Sequence, residues 1–92
     1  MKCCYCKKIL LSSSVDAYNC NDCNCLIISY NNKSPRIVYL YYKKYYIYFD
    51  FHNKYYALYK KDSFNQIFEF NSAPDITPQN VESKINTILA FL

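Results

Sequence analysis

The chain has 92 residues, enough for one domain and too few for two separate cores. Just over half of it is hydrophobic (52%), a fifth is aromatic, and it contains no glycine, so neither the dinucleotide fingerprint nor the P-loop is available, since both bring bare backbone against phosphate. Eleven Lys and Arg against seven Asp and Glu leave a formal charge of +4, short of the basic balance of a dedicated nucleic-acid binder.

Met1 and Lys2 run directly into Cys3, Cys4 and Cys6, with no apolar signal-peptide core before them. No run reaches the roughly 18 consecutive apolar residues of a membrane span. The expectation is a cytoplasmic chain without membrane association. In a reducing compartment six cysteines point to metal rather than to three disulfides.

Cys3 and Cys6 make one C-x2-C pair, Cys20 and Cys23 a second, with thirteen residues between the pairs. Four thiolates in two tight turns suit a closed tetrahedral shell for one structural zinc ion, although iron accepts the same ligands. Cys4 and Cys25 are surplus and offer C-x-C alternatives with Cys6 and Cys23. Cys25 opens the apolar run Cys25-Leu26-Ile27-Ile28 and is expected in the core. Four coordinated thiolates and one divalent ion lower the formal +4 to about +2.

The segment Cys3 to Asn24 resembles a zinc ribbon, in which a hairpin joins two cysteine knuckles. The matching residues are the two C-x2-C pairs, apolar Ile9 to Leu11, and Tyr18 two positions before the second knuckle. The likeness covers about a quarter of the chain. It departs from the usual pattern because the knuckles lack Pro and Gly, with Lys7 and Asn24 standing where glycine often follows the second cysteine. Asn tolerates a left-handed conformation and Lys does so poorly, which makes the first knuckle the weaker match. The resemblance implies a metal staple and no single activity.

From Leu26 to Asn71, β-branched and aromatic runs alternate with Asn, Lys, Asp and Ser clusters. About five strands are predicted: 25–30, 36–42, 45–51, 55–60 and 66–70. Short connections favour an antiparallel meander. Without glycine the turns fall to Asn31-Asn32, Asn53 and Asn65, and to Lys43-Lys44, a poor two-residue turn. Hairpins closed at Lys43-Lys44 and His52-Asn53 place Val38, Leu40, Tyr42, Tyr45, Ile47, Phe49, Tyr56 and Leu58 on one face, continuing to Phe68 and Phe70 if the next loop is odd in length. The other face collects Ile37, Tyr39, Tyr41, Tyr46, Tyr48, Asp50, Tyr55 and Tyr59.

After Asp75 the apolar period changes. Thr77 is expected to cap, Pro78 to open the helix, and Val81, Ile85, Ile88, Leu89 and Leu92 to form one apolar stripe. The fold class is therefore α+β, arranged as one domain with a metal module over 1–25, a sheet over 26–71 and a helix over 77–92 packed on the core face.

Catalysis finds little support, since His52 is the only histidine and the carboxylates form no paired constellation, so no enzyme activity is expected. The candidate working surface is the face of Tyr39, Tyr41, Tyr46, Tyr48, Tyr55 and Tyr59, rimmed by Lys43 and Lys44. Clustered tyrosines suit a protein partner. Aromatic rings beside Lys43, Lys44, Lys54, Lys60 and Lys61 also suit single-stranded nucleic acid, the alternative reading. A third is a structural subunit that buries the face by self-association. The overall plan resembles small proteins of AT-rich tailed phages, which implies a host-directed accessory role.

Overall fold

The computed structural model describes residues 1–14, 16–30, 34–63 and 65–92, and of 12–14 the backbone only. The expected Asn31-Asn32 turn lies outside the described residues. Strand order follows chain order: β1 (Ser12–Ser14), β2 (Ala17–Cys20), β3 (Cys25–Ile28), β4 (Ile37–Tyr42), β5 (Tyr45–Asp50), β6 (Tyr55–Lys60) and β7 (Asn65–Phe70), followed by α1 (Val81–Ala90). Every neighbouring pair is antiparallel in one sheet. Six of these strands have four or six residues, against the about five predicted, and Ser12–Ser14 adds a three-residue edge. The extra strand β2 lies inside the segment read as a metal module, because the second knuckle is itself the turn that pairs Cys20 with Cys25. The sheet thus runs through the expected division at residue 25.

The two faces follow from register. Leu40 pairs with Ile47 and Ile47 with Leu58, whereas Tyr41 pairs with Tyr46 and Tyr46 with Tyr59. Cross-strand partners share a face, so apolar residues fall on one side and tyrosines on the other. The core face is completed by Tyr18, Cys20, Cys25 and Ile27. Cys3 and Leu10 of the first knuckle and Val81 and Ile85 of the helix join this same cluster. The metal module and the helix therefore share the apolar side, and neither covers the tyrosines. In β7 the pairing shifts between Leu58 and Tyr59, a bulge at Ile67 that keeps Phe68 and Phe70 on the core side. Asn65, expected in a turn, opens β7.

Glycine's usual positions are held by other residues. Lys7 (φ 66°), Asp16 (φ 62°), Asn24 (φ 55°), Lys43 (φ 52°) and Lys54 (φ 54°) all adopt the left-handed region. Lys7 and Asn24 do so directly after their knuckles, at the two positions expected to need it. The β5–β6 turn is braced by buried Asp50, whose carboxylate accepts from the Asn53 N–H (3.0 Å), the Asn53 side-chain amide (2.9 Å) and the Tyr48 hydroxyl (3.3 Å). Burial works to raise this carboxyl's pKa, but donation from Asn53, Tyr48 and the His52 N–H brings it below the ordinary value.

The helix starts later than predicted. The Asn80 side chain accepts from the Thr77 N–H (2.7 Å) and donates to the Asp75 carbonyl (3.1 Å), and the Asn80 N–H bonds the Thr77 carbonyl (3.1 Å). Thr77-Pro78-Gln79-Asn80 is thus a turn, with Pro in its favoured second place. Val81 and Ile85 are buried and Ile88 and Leu89 half-buried, but Leu92 lies beyond the helix and is exposed. Glu82 ties the helix to the sheet by accepting from the Tyr42 hydroxyl (2.6 Å).

Two stability tests follow from the turns. A left-handed non-glycine residue costs about 1–2 kcal/mol, partly offset by the greater unfolded-state freedom of glycine, so Lys54→Gly is expected to stabilise by about 0.5–1 kcal/mol. A urea midpoint that fails to rise at constant slope refutes this. Asp50→Ala is expected to cost about 1.5–3 kcal/mol at pH 7. Because the folded-state pKa lies below the ordinary 3.8, this contribution is present at neutral pH and is lost as pH falls below about 4, so the wild-type and variant curves should converge in acid.

Candidate metal centre and the tyrosine face

The first knuckle is a small loop closed by the Lys2–Ile9 bridge and by the Cys3 N–H to Lys8 carbonyl bond (2.8 Å). Its left-handed exit at Lys7 brings the chain back so that Leu10 is buried, while Ile9 and Leu11 point outward at 72% and 87% exposure. Of the apolar triplet matched to a zinc ribbon, only Leu10 packs inward. The second knuckle is clamped to β4 by reciprocal bonds, Tyr41 N–H to the Asn24 carbonyl and the Asn24 amide to the Tyr41 carbonyl, each 3.0 Å. An exposed Lys8–Asp22 ion pair (3.2 Å) spans the two knuckles.

These turns bring the four expected sulfurs together. The Sγ atoms of Cys3, Cys6, Cys20 and Cys23 all lie within 4.8 Å of one another, with Cys3 to Cys23 at 3.8 Å and Cys6 to Cys20 at 3.7 Å. A tetrahedral ion with metal–sulfur bonds of about 2.3 Å requires sulfur–sulfur edges of about 3.8 Å, which the Cys3–Cys23 and Cys6–Cys20 separations match. They are far longer than a disulfide's about 2.05 Å, and all six cysteines are free. The residues present therefore fit one metal ion.

The electrostatics agree. Burial acts to raise the Cys3 thiol, but N–H groups of Cys6 and Tyr5, the latter 3.4 Å from the sulfur, bring it down to about 7. Burial first, and neighbouring thiols after it, push Cys23 well up. Four crowded sulfurs cannot all ionise without a cation to compensate them, and a divalent ion supplies that charge. Cys4 and Cys25 stand outside the cluster. Cys25 is buried in the core as expected, whereas Cys4 is only half-buried, its thiol pushed up to about 11 by burial and by Cys3.

On the other face the six expected tyrosines form one continuous layer. Tyr39 stacks on Tyr41 (6.2 Å between centroids, 9°) and Tyr46 on Tyr59 (5.3 Å, 13°), while Tyr48 meets Tyr55 at 6.0 Å. The Tyr55 and Tyr59 hydroxyls bond each other (2.9 Å), and Tyr55 also donates to Gln66. Tyr46 lies at the centre and is buried at 9% exposure, and the other five are half-buried. The rings cover the sheet themselves, and Ala57, between Tyr55 and Tyr59 on β6, is fully buried. Three adjoining hollows cross this face. They run from the second knuckle (Asn21, Asn24, Tyr41, Lys61; 360 Å³) through Tyr39, Tyr41, Tyr46, Lys61 and Asp62 (490 Å³) to Tyr39, Tyr46, Tyr48 and Tyr59 (240 Å³).

The expected lysine rim is placed differently. Lys43 lies over the Tyr42 ring (5.3 Å), beside Glu82 on the helix side, because Tyr42 belongs to the core face. Lys44 is exposed in the same turn. The lysine that meets the tyrosine layer is Lys61, with Nζ 5.2 Å from the Tyr41 centroid. Among the described strand residues, those facing the tyrosine side with a charge are Asp50 and Glu69. Asp50 was visible on this face from parity, but a single acid among tyrosines carried no signal of a role.

No protein-family model matches the chain, and no curated protein or solved structure is significantly similar to it. Among the described residues no helix is long and apolar enough to cross a membrane.

One bound ion per chain is the expected stoichiometry in native mass spectrometry. Replacing Cys3, Cys6, Cys20 or Cys23 singly by Ala should lower metal content several-fold, while Cys25→Ala and Cys4→Ala should leave it unchanged. Retention of full metal content by any of the first four variants overturns the assignment.

Proposed function

We propose that this chain is a small, non-catalytic binding domain stapled by zinc, and that its tyrosine face takes a protein partner. Zinc fits a four-thiolate shell with no open coordination position and no electron-transfer role to fill. The metal would be held by Cys3, Cys6, Cys20 and Cys23, and its contribution would be to the fold. A colourless protein whose single ion is zinc supports this, whereas visible thiolate-to-iron absorption refutes it.

The observation that carries the binding reading is the mutual stacking of the rings. Tyr46 and Tyr59, and Tyr39 and Tyr41, already occupy one another's faces. A layer built this way has ring edges and hydroxyls left to present, which suits the mixed polar and apolar contact of a protein interface. Single-stranded nucleic acid needs open ring faces within a basic groove, and here the strand positions carry Asp50 and Glu69 while Lys43 turns to the helix. Composition rich in Tyr, Lys, Asn and Ile, together with one specialised face, fits an accessory protein of an AT-rich virus.

Tyr48→Ala and Tyr59→Ala, at half-buried positions, should each weaken the partner complex at least about tenfold, the scale of an interface hot spot, with unchanged circular dichroism. The complex should change little between about 50 and 200 mM salt, where a nucleic-acid contact would lose orders of magnitude. A steep loss with salt, with binding to oligo-dT, selects nucleic acid instead.

A further inference from the structure

We propose that β7 is a pairing edge for a second copy of this chain, and that two copies join β7 to β7 in antiparallel fashion as a closed dimer. This goes beyond the reading of the tyrosine face and leaves that face accessible. β7 ends the sheet and pairs with β6 alone, so along its other side alternate residues turn backbone N–H and C=O groups outward. Its sequence, Asn-Gln-Ile-Phe-Glu-Phe, has one charge and none of the lysine or proline that guards an open edge. Phe68 is 39% exposed there although it lies on the core side. The opposite edge is β1, three serines with an irregular register, too short to offer the same ladder. One long edge and one blunt edge give a two-fold dimer that closes on itself rather than a growing fibre.

The strand is complementary to itself. A two-fold axis normal to the sheet between Ile67 and Phe68 engages all six residues of β7, setting Asn65 against Phe70, Gln66 against Glu69 and Ile67 against Phe68 of the second copy. Cross-strand partners must share a face. In a regular strand residues 66 and 69 lie on opposite faces, but the extra residue of the bulge changes that. Gln66 pairs with Tyr59 and Glu69 with Ala57, both on the tyrosine side, while Asn65 and Phe70 pair with Lys60 and Tyr56 on the core side. A bulge ordinarily spoils an edge for pairing, yet here it brings the strand into match with its own copy. Charge favours the same register. A neutral amide at Gln66 meets each Glu69 carboxylate, whereas an axis through Glu69 would oppose two carboxylates. The chosen axis also keeps both tyrosine layers on one side of the joined sheet.

The test is sedimentation equilibrium of the metal-loaded chain from micromolar to millimolar concentration, with Gln66→Lys and Gln66→Glu beside the wild type. Gln66 and Glu69 are both exposed, and both variants lose the bond from Tyr55, so the difference between them reports the residue opposite. A reversible dimer is expected, tightened about threefold or more by Gln66→Lys, which meets Glu69 twice, and weakened about threefold or more by Gln66→Glu. Combining Gln66→Lys with Glu69→Lys should weaken the dimer again. Hydrogen exchange should show β7 amides gaining protection as the dimer forms. A chain that stays monomeric throughout overturns the proposal, as does a dimer in which Gln66→Lys and Gln66→Glu behave alike. Association that continues past the dimer overturns the closed two-fold. A dimer lost on Tyr48→Ala and indifferent to residue 66 lies on the tyrosine face and overturns the edge. Since the residue 66 variants leave Tyr48 in place, loss of the edge pairing and loss of the tyrosine-face complex are read separately.

Discussion

Everything in this molecule depends on the register of β4 against β5. Val38 meets Phe49 and Leu40 meets Ile47, while Tyr39 meets Tyr48 and Tyr41 meets Tyr46. A slip of one residue would turn the tyrosines into the core and the aliphatic side chains into solvent. The pairing is held at its closed end by a two-residue turn in which Lys43 accepts a left-handed backbone. Burial of Leu40, Ile47 and Leu58, all fully enclosed, offsets the strain of that turn.

The apolar face needs a cover, and two unrelated pieces supply it side by side. Val81 and Ile85 of the helix lie over one part of the cluster, and Cys3 and Leu10 of the first knuckle contribute another. The helix is one short amphipathic segment whose stability comes from packing. The first knuckle brings Met1, Cys4 and Tyr5 against the cluster besides Cys3 and Leu10, and it is bridged to the second knuckle by an exposed ion pair, a weak contact at best. The four clustered sulfurs, which could hold a metal ion, join the two knuckles beside the core.

The opposite face solves its exposure without any cover. Tyrosine carries enough ring to shield a sheet and a hydroxyl to meet water, and the six rings here lean on one another until Tyr46 and Ala57 are enclosed. The layer is therefore both a structural cap and a surface with a chemical character. Its hollows, its acid at Asp50 and its lysine at Lys61 arise from where the strand ends fall.

Sequence alone determined the two C-x2-C pairs as the sulfur cluster, the strands of the meander, and the division of aliphatic from tyrosine residues. These properties are local: a ligand spacing, a period of two, and turn lengths that preserve parity. It also marked Lys7 and Asn24 as standing where glycine often follows a knuckle, with Lys7 the poorer fit, and the structure puts both in the left-handed region. The helix start was missed because Asn80 binds back to Thr77 and Asp75, a side-chain choice that competes with capping and leaves no periodic trace. β2 was missed because its four residues were absorbed into the ribbon motif. Only the tertiary structure decided that the knuckles and helix share one face, that Lys43 lies over Tyr42 on the helix side while Lys61 reaches Tyr41, and that the tyrosines of three strands pack into one layer. Those outcomes depend on side-chain direction at strand ends and on distances between strands, which a one-dimensional pattern does not contain.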